Sequence, residues 1–418
     1  MAYNERIIDQ VLDELLPSLP AILLDGPKAV GKTTTGLQRA NTVKRLDRDA
    51  ERLLVRADPS WVLKGEKPIL LDEWQKTPEV WGRIKDAVDS DYSGGQFILT
   101  GSMPNHETHS GAGRITAIRM RPLSFAERNV TQPSISFRDL LIGNAGVEGH
   151  TDVGIDDYCA ELMHSGFPAI RTLQGNALRV ALDGYIERVV DADVREMGLA
   201  IRKPASLKAW MTAYAAATAT TASWEALRDA ANTGSDEQPA KTTILSYRDA
   251  LTRLRILDEL PAWLPTRNQF ARVSQAAKHF LADPALAMRL MNYDAETVRT
   301  AMSYGSGTYD GPLVGRLFEA LVVLSVRTYA DASFAKAMHF RERDGRHEVD
   351  LIVERQDGKV LAIEVKLSAT ISDDDVKHLK WLKREIGDDL IDSVVIYAGE
   401  FAYRRDGIAL IPLAMLGA

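Results

Sequence analysis

The sequence predicts an α/β fold organised in several domains, and three observations predict it. The apolar run Ala21-Ile-Leu-Leu24 leads into Gly26-Pro-Lys-Ala-Val-Gly-Lys-Thr33, the G-x-x-x-x-G-K-[ST] pattern that joins a buried strand to a helix. Two further apolar runs, Pro68-Ile-Leu-Leu71 and Phe97-Ile-Leu-Thr-Gly-Ser102, pass into acidic or small polar residues, as strands do at the carboxyl edge of a parallel sheet. Beyond Gly311 a helical stretch gives way to three strand-like runs separated by Asp344-Gly345 and Asp357-Gly358, both hairpin signals.

Taken in order, residues 1–130 alternate strand-like and helical or polar segments, which gives the first α/β domain. After Pro122-Leu-Ser-Phe-Ala-Glu127 the strand pattern fades, and apolar residues recur at helical spacing with a loop near Gly166-Phe-Pro168, so 131–235 reads as a helical module. The polar run Asn232-Thr-Gly-Ser-Asp-Glu-Gln-Pro239 is read as an exposed connection. Residues 236–300 then read as a small helical or winged-helix module: Ser246 to Leu260 is helical in pattern, Pro261-Ala-Trp-Leu-Pro265 turns the chain, and Ala271 to Phe280 returns as strand and turn. Its Arg248, Arg253, Arg255 and Arg272 are of a type that meets phosphate, although scattered surface arginines are common in proteins without nucleic-acid partners. The last domain, 301–418, has a helix through Leu317 to Tyr329, strands at Ala337–Arg343, His347–Glu354 and Lys359–Lys366, a helix around Asp374 to Lys383, and a strand at Ser393–Ala398.

Composition fits this frame. A chain of 418 residues is too long for one ordinary core, and 45% apolar with 26% charged residues is usual for a globular protein. A formal charge of -7 gives no global argument for nucleic acid but leaves room for a local basic surface. The single Cys159 excludes an intrachain disulfide framework and a multi-cysteine metal site; it is expected to be a free core thiol in a reducing compartment. No apolar segment approaches membrane-spanning length, and the alanine-rich stretch Ala209 to Ala222 holds Trp210, Tyr214 and several threonines, so it reads as a packed helix. A cytoplasmic protein without a membrane partner is expected.

The first three strand tips converge on one site. In a loop of this pattern the backbone of Gly26, Pro27, Lys28, Ala29, Val30, Gly31, Lys32 and Thr33 surrounds the phosphates of ATP, Lys32 reaches their outer oxygens, and the Thr33 hydroxyl faces Mg2+. Asp72 is placed to hold the metal shell through water, and Glu73 to polarise the attacking water.

A second constellation lies in the last domain. Side-chain direction repeats every two residues on a strand, so Glu364 and Lys366 share a face, and Asp350 on the preceding strand can share their rim. Asp350 and Glu364, with Glu319 from the preceding helix, are candidate ligands of a second divalent ion, Mg2+ or Mn2+, with Lys366 orienting water or balancing charge in phosphodiester attack. A solvated salt bridge is the plainer account, but Val349-Asp350-Leu351-Ile352-Val353 and Leu361-Ala-Ile-Glu-Val-Lys366 set these charges inside apolar strands, where they need partners or an ion.

With these residues in view, nearly the whole chain resembles a family of prokaryotic AAA-like ATPases that carry a C-terminal domain of uncharacterised function. The N-terminal marks are the phosphate loop, Leu70-Leu-Asp-Glu73, Thr100-Gly-Ser102, Gly113-Arg114 and Pro122-Leu-Ser-Phe125. Downstream marks are Gly166-Phe-Pro168, Lys278-His-Phe-Leu-Ala-Asp283 and Gly315-Arg-Leu-Phe-Glu319. The resemblance implies Ser102 as a phosphate sensor and Arg114 as a charge-neutralising finger, while Lys28 stands where relatives often carry arginine. Arg114 follows the glycine-rich Ser110-Gly-Ala-Gly113, so a finger acting in its own subunit or across a homo-oligomer is open, with Arg119 and Arg121 as competitors. His106 and His109 lack a third ligand and read as loop residues. The pattern of Glu319, Asp350, Glu364 and Lys366 also resembles the restriction-endonuclease-like nuclease fold, which includes inactive binding modules.

The leading expectation is therefore ATP binding and hydrolysis coupled to metal-dependent DNA processing or DNA binding. The alternative is a slow ATP-dependent switch that binds a protein or DNA partner without nuclease activity. A signalling NTPase with a regulatory domain shares the same front end, and a kinase is less favoured because no acceptor site can be read from the strand tips.

Overall fold

The apolar runs around the phosphate loop form the middle of a parallel sheet in the computed structural model, which describes residues 3–101, 112–198, 203–231, 240–265, 275–294, 297–298, 311–342 and 345–418. Two units cluster separately: residues 1–122 together with 253–255, and residues 123–252 together with 256–418.

The first unit runs α1 (Ile7–Leu15), β1 (Ala21–Asp25), α2 (Lys32–Leu37), β2 (Thr42–Arg45), α3 (Asp49–Ala57), β3 (Ile69–Asp72), α4 (Glu79–Ser90), β4 (Phe97–Gly101) and β5 (Ile115–Arg119). All pairings are parallel, in the order β2-β3-β4-β1-β5. Every residue of β1, β3 and β4 is buried, which is why these strands appear as continuous apolar runs instead of alternating ones. Alternate residues Ala21, Leu23, Ile69, Leu71, Phe97 and Leu99 form one core with Val55 of α3 and with Val80, Trp81, Ile84 and Val88 of α4. The order has one consequence for chemistry: β4 lies between β1 and β3, so its tip stands beside both the phosphate loop and the acidic end of β3. Close packing of α2 depends on Gly36, where a Cβ would stand 2.9 Å from Leu70 Cδ1.

The second unit opens with β6 (Ile135–Ser136), α5 (Phe137–Ile142) and β7 (Gly149–His150). There follow α6 (Ile155–Met163), α7 (Pro168–Arg171), α8 (Gly175–Arg188), α9 (Val194–Glu196), α10 (Pro204–Ala216), α11 (Trp224–Ala230) and α12 (Lys241–Arg253). Asp283 ties two distant segments together: its carboxylate accepts from Ser165 Oγ at 2.6 Å and the Gly166 amide at 2.8 Å, and caps α13 (Pro284–Leu290) through the Ala285 amide at 3.1 Å. After α12, single antiparallel bridges Leu257 to Leu281 and Leu260 to Lys278 form a short return. Of the module expected over 236–300, the described residues hold α12, this short return and α13; residues 266–274, with Arg272, lie outside the described residues. Arg248 is held by Glu259 at 3.0 Å and lies 4.1 Å over the Trp224 ring.

The chain continues with α14 (Gly311–Ala332), β8 (Lys336–Arg341), β9 (Glu348–Glu354), β10 (Val360–Lys366), α15 (Lys377–Ile386), β11 (Leu390–Tyr397), β12 (Phe401–Arg405), β13 (Ile408–Pro412) and β14 (Leu416–Gly417). A seven-stranded sheet is ordered β7-β12-β13-β11-β10-β9-β8, with β8, β9 and β10 antiparallel and β11 parallel to β10. Leu379 and Leu382 of α15 cover a face made by Met338, Phe340, Ile352, Val360, Ala362 and Val395, and Trp263 joins the same core. The boundary expected near residue 300 does not separate compact bodies, because β7 pairs with β12, β6 pairs with β14, and Trp263 is built into the C-terminal core.

Candidate functional site

The phosphate loop leaves β1 at Asp25 and enters α2 at Lys32. Ala29 (φ 63°) and Gly31 (φ 106°) take left-handed conformations, and alternating handedness is how a chain turns successive amides toward one concavity. Lys32 is buried at 6% exposure, and its ammonium donates to the carbonyls of Gly26 and Pro27 at 2.8 Å each. Burial pushes Lys32 down to about 8, against the attraction of Glu73 and Asp25. The Thr33 hydroxyl donates to Asp72 Oδ1 at 2.6 Å, and the Thr100 hydroxyl reaches the same oxygen at 2.6 Å. Three elements thus fix one carboxylate: the helix after the loop, the end of β3 and the end of β4. A hydroxyl and a carboxylate held together beside a lysine-bearing loop fit the donor set for Mg2+ on a nucleoside triphosphate, where the ion supplies charge to the phosphates.

Glu73 follows Asp72 in the left-handed region (φ 56°), a costly conformation for a non-glycine residue. Gln75 Nε2 donates to Glu73 Oε2 at 2.7 Å and steadies the carboxylate near Lys32, whose charge it favours. Ser102, expected as the phosphate sensor, lies outside the described residues, as do His106 and His109.

Arg114 is placed at the other end of the sheet. It precedes Ile115, which pairs with Ala21 at the amino end of β1, whereas the loop follows Asp25, paired with Arg119. Four steps of about 3.3 Å put about 13 Å of strand between these levels. The Arg114 guanidinium instead donates to Asp89 of α4 at 2.5 Å. Arg119, paired with Asp25 at the edge of the loop, is close enough for its charge to lower the Lys32 ammonium. Arg255 (φ 62°), part of the first unit, donates to Asp25 at 3.2 Å and 2.5 Å. The sequence marked Arg255 for phosphate contact within the middle module; its apposition to Asp25 follows only from the tertiary path.

In the second unit Glu319, Asp350, Glu364 and Lys366 do gather. The ladder between β9 and β10 ends at the pair Leu351 and Ile363, and beyond it Asp350 Oδ2 accepts the Val365 amide at 3.0 Å. Lys366 Nζ is 3.5 Å from Glu364 Oε2. The cation at the centre is Lys278, which sits 3.0 Å from Glu319, 2.9 Å from Glu348 and 3.2 Å from Asp350. Burial opposes its charge, but Glu319, Asp350 and Glu348 outweigh burial and hold the ammonium well above the usual lysine range. Burial raises Asp350 too, yet Lys278 and Lys366 bring it below the carboxylate range, while burial and then Asp350 push Glu364 well up. Among the described residues no group of three or more His, Cys, Asp or Glu is arranged to hold a metal ion. The signal for Lys278 was present in sequence: a lysine opening the buried run Lys278-His-Phe-Leu-Ala-Asp283 must carry a partner with it.

Strand order, phosphate loop and the carboxylate pair at the end of β3 define the first unit as a P-loop ATPase domain of the AAA type. Residues 18–129 match a family model described as an AAA domain. Residues 155–297 and 314–416 match two further models, each described as a domain of unknown function (DUF8612 and DUF4143). Uncharacterized proteins of Mycobacterium bovis and Mycobacterium tuberculosis are each 23% identical over 417 residues, covering 96% of this chain and 82% of theirs. Among solved structures, a Walker-type ATPase of Pyrococcus abyssi aligns with a TM-score of 0.41 and 14% identity, covering 69% of this chain and 96% of that one. The ORC2 protein of Aeropyrum pernix, solved as ADPNP and ADP complexes, aligns at 0.28 and 14%, covering 68% and 90%. No described helix is long and apolar enough to cross a membrane.

Proposed function

We propose that the chain is an ATP-hydrolysing molecular switch, whose AAA-type domain turns over ATP with Mg2+ and whose second unit binds a DNA or protein partner without cutting it. The observation that carries the ATPase half is the convergence of Thr33 and Thr100 on one oxygen of Asp72, with Lys32 and Glu73 beside it. In this reading Lys32 holds the outer phosphate oxygens, Thr33 and Asp72 hold the Mg2+ shell, Glu73 receives the proton of the attacking water, and Ser102 senses the phosphate. Arg114, at the far end of its own sheet, would act only on a site in a neighbouring subunit of a homo-oligomer. The non-cleaving half is favoured by the Lys278 ammonium at the centre of the acidic cluster.

A second reading keeps metal-dependent DNA processing, with Glu319, Asp350 and Glu364 on a second Mg2+ or Mn2+ and Lys366 at the reacting phosphate. Its support is that a helix, three antiparallel strands, a second helix and a strand parallel to the third bring these side chains to one place, an order like that of nuclease folds. One experiment separates the two: labelled single- and double-stranded DNA incubated with ATP, a non-hydrolysable analogue or no nucleotide, plus Mg2+ or Mn2+, using wild type, Asp350→Ala and Lys366→Ala. The switch reading expects uncut DNA throughout and binding of DNA or protein that follows the nucleotide and survives Asp350→Ala. Cleavage lost in Lys366→Ala would replace it with the second reading.

A further inference from the structure

The last residue of β1 is a carboxylate. Asp25 stands directly before Gly26 with its side chain 8% exposed, so the phosphate loop begins at a buried acidic group. A negative charge there opposes a polyphosphate ligand and competes with it for the loop lysine. Lys32 registers it: burial lowers the ammonium, and Glu73 and then Asp25 act against burial. One side chain answers the carboxylate directly. Arg255 approaches Asp25 with its fork, Nε at 3.2 Å from Oδ1 and Nη2 at 2.5 Å from Oδ2, the two-bond geometry that arginine forms with carboxylates. Lys32 meanwhile donates to the neutral carbonyls of Gly26 and Pro27.

The backbone under Asp25 is fixed without this pair. Asp25 is in register with Gly101 of β4 and Arg119 of β5, its carbonyl accepts the Met120 amide at 2.7 Å, and a Cβ on Gly26 would stand 2.2 Å from the Met120 carbonyl oxygen. Arg255 therefore acts on the charge and direction of the carboxylate and not on the strand. It follows α12 in a left-handed turn (φ 62°) closed by the Ile256 amide on the Leu251 carbonyl at 2.9 Å, a position that glycine takes without steric cost. The segment 253–255 clusters with the first unit, far along the chain from the loop it serves.

We propose that Arg255 is a positioning residue of the nucleotide site: its guanidinium neutralises Asp25 and holds that carboxylate aside, which keeps Lys32 available to the phosphates of ATP. Without it, Asp25 both repels the incoming phosphates and draws the Lys32 ammonium to itself. Arg255 acts through Asp25 and touches no phosphate in this account, so removing the Asp25 charge removes the need for it. The proposal rests on the ATPase reading and adds to it a residue outside the contiguous N-terminal stretch.

The test measures ATP and ADP binding with Mg2+, steady-state turnover and thermal melting on the full chain. Arg255→Gly removes the guanidinium while suiting the left-handed turn. It is expected to fold, to bind ATP roughly 10-fold more weakly than wild type, and to lose less for ADP, which carries one phosphate fewer. Its kcat at saturating ATP should stay within about twofold of wild type, so that the loss lies in KM. Arg255→Lys should keep most of the affinity, and Asp25→Asn added to Arg255→Gly should restore ATP binding to within about threefold of wild type. Unchanged ATP affinity in Arg255→Gly, or a weakening that Asp25→Asn does not relieve, would overturn the proposal and leave the ATPase reading in place. A wild type that binds no ATP would overturn both. Should Arg255→Gly fail to fold, Arg255→Gln takes its place, with the same expectations and the same contrary results.

Discussion

At the scale of single residues, the nucleotide site is built from groups whose neighbours restrict them. Asp72 accepts two hydroxyls on one oxygen, Glu73 sits in a costly backbone conformation, and Lys32 is buried against loop carbonyls. The residue types and their spacing were readable because the loop is contiguous in sequence and the acid pair ends a contiguous strand. Arg119, Arg255 and Lys278 were not assigned these positions, since each reaches its partner across a fold whose path no local pattern specifies. Two buried groups contribute to the response to acid. Glu161, held by His164, Arg171 and Arg128 against the cost of burial, is brought from 4.5 down to about 2, and His339 is brought by burial from 6.5 down to about 4. In both cases the unfolded chain takes up the proton first, so stability present at neutral pH is lost as pH falls, from 6.5 to about 4 for His339 and from 4.5 to about 2 for Glu161. Each gap is worth on the order of 3 kcal/mol. Urea midpoints measured from pH 7 to pH 4 are expected to fall, with the loss reduced in His339→Gln; a flat profile in wild type would refute the assignment.

At the scale of elements, the buried parallel strands β1, β3 and β4 were legible as apolar runs, and β9 and β10 were legible from the turn at Asp357-Gly358, where Gly358 takes φ 83°. The two-residue strands β6 and β7 were not, because they are defined only by partners more than 200 residues away, β14 and β12. Asp283 explains why two separated sequence marks belong together: its carboxylate caps α13 and fixes the turn at Ser165 and Gly166. Fully buried at 0% exposure, it leaves three donors without an acceptor if truncated. Asp283→Ala is expected to cost about 3 kcal/mol in urea unfolding, from lost capping and unmet buried donors. A cost below about 1 kcal/mol would mean that other groups hold the turn.

At the scale of the whole molecule, composition and periodicity separated an N-terminal α/β domain from a helical middle and a C-terminal α/β region, but linear boundaries after residue 130 could not anticipate that one sheet draws strands from both ends of the second unit. A fragment of residues 301–418 lacks Lys278, Trp263 and β7, so its acidic centre has lost its buried counter-charge and its core an aromatic ring. That fragment is expected to melt without a cooperative transition by circular dichroism, whereas 123–418 melts cooperatively; equal cooperativity would show that the added segments are dispensable.

ATP turnover by the first unit is measured most directly as the release of ADP and phosphate from ATP with Mg2+ by wild type, Lys32→Ala and Glu73→Gln, alongside nucleotide binding. Wild type is expected to yield ADP and free phosphate in equal amounts, Lys32→Ala to lose turnover, and Glu73→Gln to keep ATP binding while turnover falls by roughly 10²- to 10⁴-fold. Turnover unchanged in Lys32→Ala, or a phosphorylated acceptor in place of free phosphate, would contradict ATP hydrolysis at this site.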